Sequence, residues 1–114
     1  MNQPLADGDI GPLDAEREHR GGRAILVDVR EQDEWDAGHA PGAIHLPLAA
    51  LDAGQLAGRG RIVAVCRSGN RSRRAAALLT AAGIDVVNLA GGMTEWLRCG
   101  LPVVTDSGRP GDVT

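Results

Sequence analysis

Tyrosine and phenylalanine are absent from this chain, and Trp35 and Trp96 are its only large aromatic rings. A core built without them consists mainly of Val, Ile, Leu and Ala, side chains that suit a parallel sheet covered by helices. Cysteine is scarce as well. Cys66 and Cys99 allow one disulfide at most, and their spacing fits neither a secreted disulfide scaffold nor a zinc site. No apolar run approaches the roughly 20 residues that cross a membrane, so no membrane partner is expected. A net charge of −3 denies the chain a global basic field, which argues against nucleic acid as a partner. The opening Met1-Asn2-Gln3-Pro4-Leu5-Ala6-Asp7 lacks the basic region and apolar core of a signal peptide. A cytoplasmic, reducing setting is therefore expected, one that keeps a thiol nucleophile available. There is no nucleotide-binding glycine motif, no carboxylate pair of the glycosidase kind and no metal cluster, so no cofactor and no metal are expected.

What is present reads as one domain. A chain of 114 residues is long enough for a real core and short of a second one. Its 43% hydrophobic and 24% charged residues are ordinary for a globular protein. The 16 glycines imply many tight connections and argue against a long helical bundle.

Residues 1–12 are polar and punctuated by Pro4, Gly8, Gly11 and Pro12, with Leu5 or Ile10 as the only anchors. Leu13 to Arg20 predicts a short helix stopped at Gly21-Gly22. Ala24-Ile25-Leu26-Val27-Asp28-Val29 predicts a strand buried on both faces. Glu31 to Gly38 predicts a short helix with Glu31, Asp33 and Glu34 near its start, where the dipole favours acids. After the turn His39-Ala40-Pro41-Gly42, a short strand over Ala43-Ile44-His45-Leu46 is stopped by Pro47, and Leu48 to Leu56 predicts a helix loosened at Gly54. Val86-Val87-Asn88-Leu89 predicts a further strand, and Met93 to Arg98 a short helix carrying Trp96. From Thr105 the composition turns to Asp, Ser, Gly, Arg and Pro, which predicts a domain over 1–104 and a disordered tail over 105–114. The alternation of strands and helices gives an α/β fold with a central, mostly parallel sheet flanked by helices.

The chemistry concentrates in one stretch. Ile62-Val63-Ala64-Val65 predicts a buried strand ending at Cys66, followed by the polar loop Arg67-Ser68-Gly69-Asn70-Arg71. Ser72 is placed to cap a helix that presents Ala75, Leu78, Leu79 and Ala82 on one side. Cys66 thus falls at the carboxyl end of a strand and beside a helix N-terminus, where open α/β sheets bind their ligands. Loop N–H groups and the unpaired N–H groups of the first helical turn form a concavity suited to an anion. Arg67, Arg71, Arg73 and Arg74 add charge, though Arg73 or Arg74 can equally face solvent. Such surroundings lower a thiol pKa from about 8.5 and make Cys66 a candidate nucleophile. A buried structural cysteine is the alternative, and it accounts for neither the arginines nor the Gly69 turn.

The chain resembles a single-domain rhodanese, a sulfurtransferase family whose fold is shared with arsenate reductases and cell-cycle-type phosphatases. Val27-Asp28-Val29-Arg30 with Glu34-Trp35 and Gly38-His39-Ala40-Pro41-Gly42-Ala43-Ile44-His45-Leu46-Pro47 is similar to the first signature. Cys66-Arg67-Ser68-Gly69-Asn70-Arg71-Ser72 is similar to the active-site loop, and Gly91-Gly92-Met93-Thr94-Glu95-Trp96 to the last signature. The resemblance runs over residues 24–103. Ala40, where a larger aliphatic residue is common, and a degenerate opening around Ile10-Gly11-Pro12 are its departures. It implies a rhodanese-like fold with helices on both faces of the sheet. It also implies an enzyme in which Cys66 takes a sulfane sulfur from thiosulfate, a small persulfide or a protein persulfide and passes it to cyanide or a thiol.

On that reading the N–H groups from Arg67 to Ser72, through Ser68, Gly69, Asn70 and Arg71, hold the terminal sulfur. Arg71 either orients the outer oxygens of thiosulfate or folds back onto an acid, and Arg67 either attracts the donor or faces water. Asp28 and Arg30 are read as a structural pair supporting the loop. Trp35 and Trp96 are read as packing, His39 as a turn residue bonded to backbone rather than a base, and Cys99 either as a resolving thiol in a redox pair with Cys66 or, favoured, as a residue after the last helix that does not approach the loop. His19 and His45 carry no signal. Two rivals stand beside the sulfurtransferase: a phosphatase or arsenate reductase, and a non-catalytic binding module. Cys66 to Arg71 encloses four residues, one fewer than the Cys-x5-Arg loop of the first rival, which suits a single sulfur better than a phosphate-sized group.

Overall fold

A computed structural model describes residue 5 and residues 8–114; Pro4 and the other residues of 1–4 and 6–7 lie outside that range. The elements are β1 (Asp9–Ile10), α1 (Pro12–Arg20), β2 (Ala24–Asp28), α2 (Gln32–Ala37), β3 (Ile44–His45), β4 (Arg61–Val65), α3 (Asn70–Ala81), β5 (Val86–Leu89) and α4 (Gly92–Arg98). The five strands form one sheet in the order β1-β5-β4-β2-β3, and every neighbouring pair is parallel.

Period-two alternation divides the apolar strand residues between two layers. Leu26, Val63, Val65 and Leu89 face Ala15 of α1 and Met93 and Trp96 of α4. Val27, Ile62, Ala75 and Leu79 make up the opposite layer with α3, joined by Val29, Leu56 and Cys66. Helices therefore cover both faces, and the central strands are buried on both sides as their continuous apolar runs predict. Trp96 takes the place that Phe and Tyr leave empty: it is fully buried, and its indole Nε1 donates to the Pro102 carbonyl at 2.9 Å.

The topology fixes the site. After β2 the chain runs outward to β3, whereas after β4 it runs the other way to β5. The carboxyl ends of β2 and β4, in register from Ala24↔Arg61 to Asp28↔Val65, therefore flank the point where the winding reverses, the position at which open α/β sheets bind their ligands. Arg30 follows one of these strands and Cys66 the other.

Five local expectations are refined or corrected. Residues 9–10 form a strand despite the surrounding Pro and Gly, because the Asn88 N–H donates to the Gly8 carbonyl and the Ala90 N–H to the Ile10 carbonyl. Leu5 is exposed, so Ile10 is the anchor of the opening segment. The segment 48–56 is not one helix but two 3₁₀ turns, Leu48–Ala50 and Ala53–Gln55, separated where the Asp52 carboxylate accepts the Gly54 N–H. Residues 105–114 fold back instead of trailing free: Gly111 N–H donates to the Val103 carbonyl, Asp112 N–H to the Ala37 carbonyl, and Val113 packs on the core. Composition alone missed this last contact because backbone, not side chains, makes most of it. Finally, Ser72 does not cap α3. The helix starts two residues earlier behind Gly69, which frees the Ser72 side chain to point into the site.

Candidate active site

Cys66 follows β4 and is buried, the residue 1% exposed. The chain then reverses into α3 through Gly69, whose φ of +105° lies in the left-handed region that side-chain-bearing residues rarely enter. The reversal aims donors at the sulfur: the Gly69 N–H reaches Cys66 Sγ at 3.0 Å and the Ser72 hydroxyl lies 3.2 Å away. Burial by itself pushes the thiol pKa up. The Ser72 hydroxyl and the N–H groups of Ser72, Gly69 and Ser68 outweigh it, so the Cys66 pKa lies below that of an ordinary thiol. Donors made of backbone do this more than any one charged side chain.

The far side of the loop is fastened by α4. Met93 N–H donates to the Cys66 carbonyl at 2.8 Å and Thr94 N–H to the Arg67 carbonyl at 2.9 Å, so orphan donors of one helix satisfy the loop that starts another. This close approach explains Gly92: a Cβ there would meet the Cys66 carbonyl oxygen and come within 2.6 Å of the Arg67 carbonyl carbon, and its φ is +60°.

Of the arginines, Arg71 folds back onto an acid. Its Nη1 and Nη2 donate to Glu34 Oε1 and Oε2 at 2.6 and 2.8 Å, forming a fork-to-fork pair between α3 and α2. The Arg71 hydrogen bonds hold the Glu34 carboxyl well below its usual range, at about 2, against the opposing effect of burial. Glu34 also accepts the Glu31 N–H at 3.0 Å in the capping box of α2. Arg67, Ser68 and Asn70 are exposed on the loop. Arg73 reaches both oxygens of Asp9 at 3.2 Å, and Arg74 is exposed, so neither joins the sulfur.

Asp28 and Arg30 form a fully buried pair. Arg30 Nε donates to Asp28 Oδ1 at 2.9 Å, Nη2 donates to Oδ2 at 2.8 Å, and Nη2 also donates to the Gly38 carbonyl at 2.8 Å. The pair ties the end of β2 to the end of α2 and so sets the wall that carries Glu34. Trp35 is buried and stacks with His39 and with His45 at ring-centre distances of 3.6 and 4.8 Å. His39 Nδ1–H donates to the Trp35 carbonyl at 2.9 Å, which makes it the backbone-bonded turn residue its position predicts. Cys99 is exposed at the C-terminal end of α4, whose other end meets the Cys66 loop. Among the described residues no group of His, Cys, Asp and Glu is placed to hold a metal.

Sequence reasoning missed Glu34 as a partner of the loop, Gly92 as its clamp, and Asn88 and Asp9 behind Ser72. Asn88 had a visible signal, a lone amide inside the apolar strand Val86-Val87-Asn88-Leu89. Asp9 and Glu34 had none, because their partners stand 64 and 37 residues away.

The Rhodanese-like domain family matches residues 12–99 of this sequence. The chain belongs to the rhodanese-like family. This domain is 42% identical over 98 residues to the HTH-type transcriptional regulator Rv0324 of Mycobacterium tuberculosis, a match that takes in 82% of the chain and 42% of that relative. It is 36% identical over 74 residues to the putative sulfur carrier protein YrkF of Bacillus subtilis, covering 62% of the chain and 40% of the relative. Its fold superposes on thiosulfate sulfurtransferase from Pseudomonas aeruginosa with a TM-score of 0.79 at 28% identity, over 95% of this chain and 21% of that one. The rhodanese-like domain is thus related to sulfur-carrier and sulfurtransferase proteins, and it spans about two fifths of the length of the two relatives matched by sequence. No helix among the described residues is long and apolar enough to cross a membrane.

Proposed function

We propose that this rhodanese-like domain is a cytoplasmic sulfurtransferase working through a Cys66 persulfide. The observation that carries the reading is the convergence of loop donors on Cys66 Sγ, which favours the thiolate although the sulfur is buried. The thiolate attacks the sulfane sulfur of thiosulfate or of a small or protein persulfide. A new S–S bond forms, and sulfite, or the donor's thiolate, leaves with the electron pair of the bond that breaks. Cyanide or a thiolate then attacks the outer sulfur, and the electron pair returns to Cys66 Sγ. No base is needed, because nucleophile and leaving groups are anions throughout; this agrees with His39 being bonded to backbone.

The roles follow from placement. N–H groups from Arg67 through Ser68, Gly69, Asn70 and Arg71 to Ser72 border the space for the outer sulfur, and Arg67 is the exposed cation that draws an anionic donor to the mouth. Arg71 supports the site chiefly through Glu34, and Asp28–Arg30 braces the wall behind it. The likeness to a thiosulfate sulfurtransferase and to a putative sulfur carrier supports sulfur as the group moved.

The test is steady-state kinetics with two substrates, thiosulfate with cyanide and an aryl phosphate, on the natural loop and on a loop lengthened by one residue between Cys66 and Arg71. Donors stabilise a transition state only where they reach its developing charge. The natural loop is expected to form thiocyanate and leave the phosphate ester intact, and the longer loop to lose thiocyanate formation. Preference of the natural loop for the phosphate ester would overturn the proposal in favour of phosphatase chemistry.

A further inference from the structure

Behind the sulfur lies a chain of polar groups that the transfer steps above do not use. Ser72 Oγ sits 3.2 Å from Cys66 Sγ and also donates to Asn88 Oδ1. All three residues are buried, at 0, 1 and 2% exposure for Ser72, Cys66 and Asn88, so bulk water does not supply a substitute partner. A hydroxyl has a single hydrogen, and here two acceptors face it. The amide is not free to turn and end the competition. Asn88 Nδ2 donates to Asp9 Oδ1 at 3.3 Å, and both Asp9 oxygens accept from Arg73. A carboxylate only accepts, so the Asn88 NH₂ must face Asp9 and its oxygen must face Ser72.

We propose that Asn88, locked in this orientation by Asp9, is a positioning residue that competes with the sulfur for the Ser72 hydroxyl. The hydroxyl turns to Sγ when the sulfur carries negative charge and back to Asn88 Oδ1 when the charge leaves it. Its use rests on the sulfurtransferase reading. In the persulfide the charge sits on the outer sulfur and Sγ is a neutral, two-bonded atom. When the acceptor removes the outer sulfur, the electron pair returns to Sγ and calls the hydroxyl back. Asn88 gives that hydrogen a satisfied resting place in a site where an unmade hydrogen bond is costly.

The other charged groups facing the sulfur are those of the loop and its two walls. Arg71 on α3 lies close enough to feel the Cys66 charge, and Glu34 on α2 neutralises it. Arg67 lies on the loop, the Arg30–Asp28 pair follows β2, and Asp9 with Arg73 lies beyond Asn88. Replacing Asn88 by an apolar residue alters none of these charges.

The test measures the Cys66 pKa from alkylation rate against pH in a Cys99→Ser background, with Asn88→Leu and Asn88→Val as two replacements suited to a strand. Relieving Ser72 of the competing acceptor is expected to lower the pKa by roughly half to one unit, which raises the thiolate fraction below the midpoint about three- to ten-fold and, because a less basic thiolate is a weaker nucleophile, speeds alkylation there about two- to four-fold. Ser72→Ala is expected to raise the pKa and to abolish the effect of either Asn88 replacement. A pKa that stays or rises in a folded Asn88 variant, or that falls equally without Ser72, overturns the proposal. Should both variants unfold, the side-chain NH₂ resonances of Asn88 in the unaltered chain decide. They are expected to titrate with Cys66, and to stop doing so in Ser72→Ala; titration that persists without Ser72 overturns it. This readout needs no donor, so a missing persulfide with the expected pKa changes would count against sulfur transfer and leave the hydroxyl switch standing.

Discussion

Arg71, in the first turn of the helix behind the Cys66 loop, and Glu34 on α2 form a two-point pair, their nitrogen–oxygen distances 2.6 and 2.8 Å. The guanidinium therefore spends its fork on a protein carboxylate and not on a ligand. It acts on the sulfur through loop shape and through residual charge, since its neighbour cancels much of its field.

Replacing Glu34 by Gln separates these effects. The Glu34 pKa is depressed in the fold, from 4.5 to about 2, so its stabilisation is fully present above the unfolded value and is lost as pH falls from about 5 toward 2. Arg71 is 35% exposed, and solvent screening cuts the pair's worth to about 1–2 kcal/mol. Urea unfolding at pH 6 should show that loss in Glu34→Gln, and at pH 3 the gap between variant and parent should shrink. Equal gaps at both pH values would show that the pair is not what the substitution removed.

The freed Arg71 should also change donor preference. Glu34→Gln leaves a fork available to oxygens, so use of thiosulfate should rise relative to an uncharged persulfide donor, whereas Arg71→Ala should lower it. Ratios of kcat/KM for the two donors are the measurement, and unchanged ratios in both variants would count against any influence of the Arg71 charge on the choice of donor.

Gly92→Ala should cripple the site without touching a reacting atom. The new methyl meets the Cys66 carbonyl oxygen and the Arg67 carbonyl carbon, and the left-handed φ adds strain. A destabilisation of about 2–3 kcal/mol is expected, together with loss of the low thiol pKa as the loop is pushed off α4. Chemical unfolding and the alkylation profile of Cys66 test the two halves.

Arg30→Ala should be worse for stability than for chemistry, because it strands a buried Asp28 carboxylate; the expected cost is about 3–5 kcal/mol. Changing Asp28 and Arg30 together to Asn and Met should recover part of it. A double variant no more stable than Arg30→Ala would contradict the pairing as the source of the loss.

Much of this was legible in the residues. The buried strands over 24–28 and 61–65 were written in unbroken apolar runs, and the place of the candidate site in a strand that ends at Cys66 before a glycine turn. Three features were hidden for different physical reasons. The edge strand Asp9–Ile10 is held by backbone bonds to residues near 88–90, which local composition does not encode. The helix over 48–56 failed because Pro47, Asp52 and Gly54 offer the backbone competing turns that one-residue propensities average away. Ser72 was read as a cap because its hydroxyl stands near the start of a helix; the helix begins at Asn70, and the same hydroxyl turns inward to Cys66 and Asn88. The choice between the two arginine roles at Arg71 needed the position of Glu34, set by the fold and not by spacing.

The central claim is that Cys66 carries the transferred sulfur, and intact-mass spectrometry after incubation with thiosulfate tests it most directly. The account predicts one added sulfur atom on the unaltered chain and on Cys99→Ser, none on Cys66→Ser, and removal of the added sulfur by cyanide. A chain whose mass does not change, or a Cys66→Ser protein that still gains the sulfur, would contradict it.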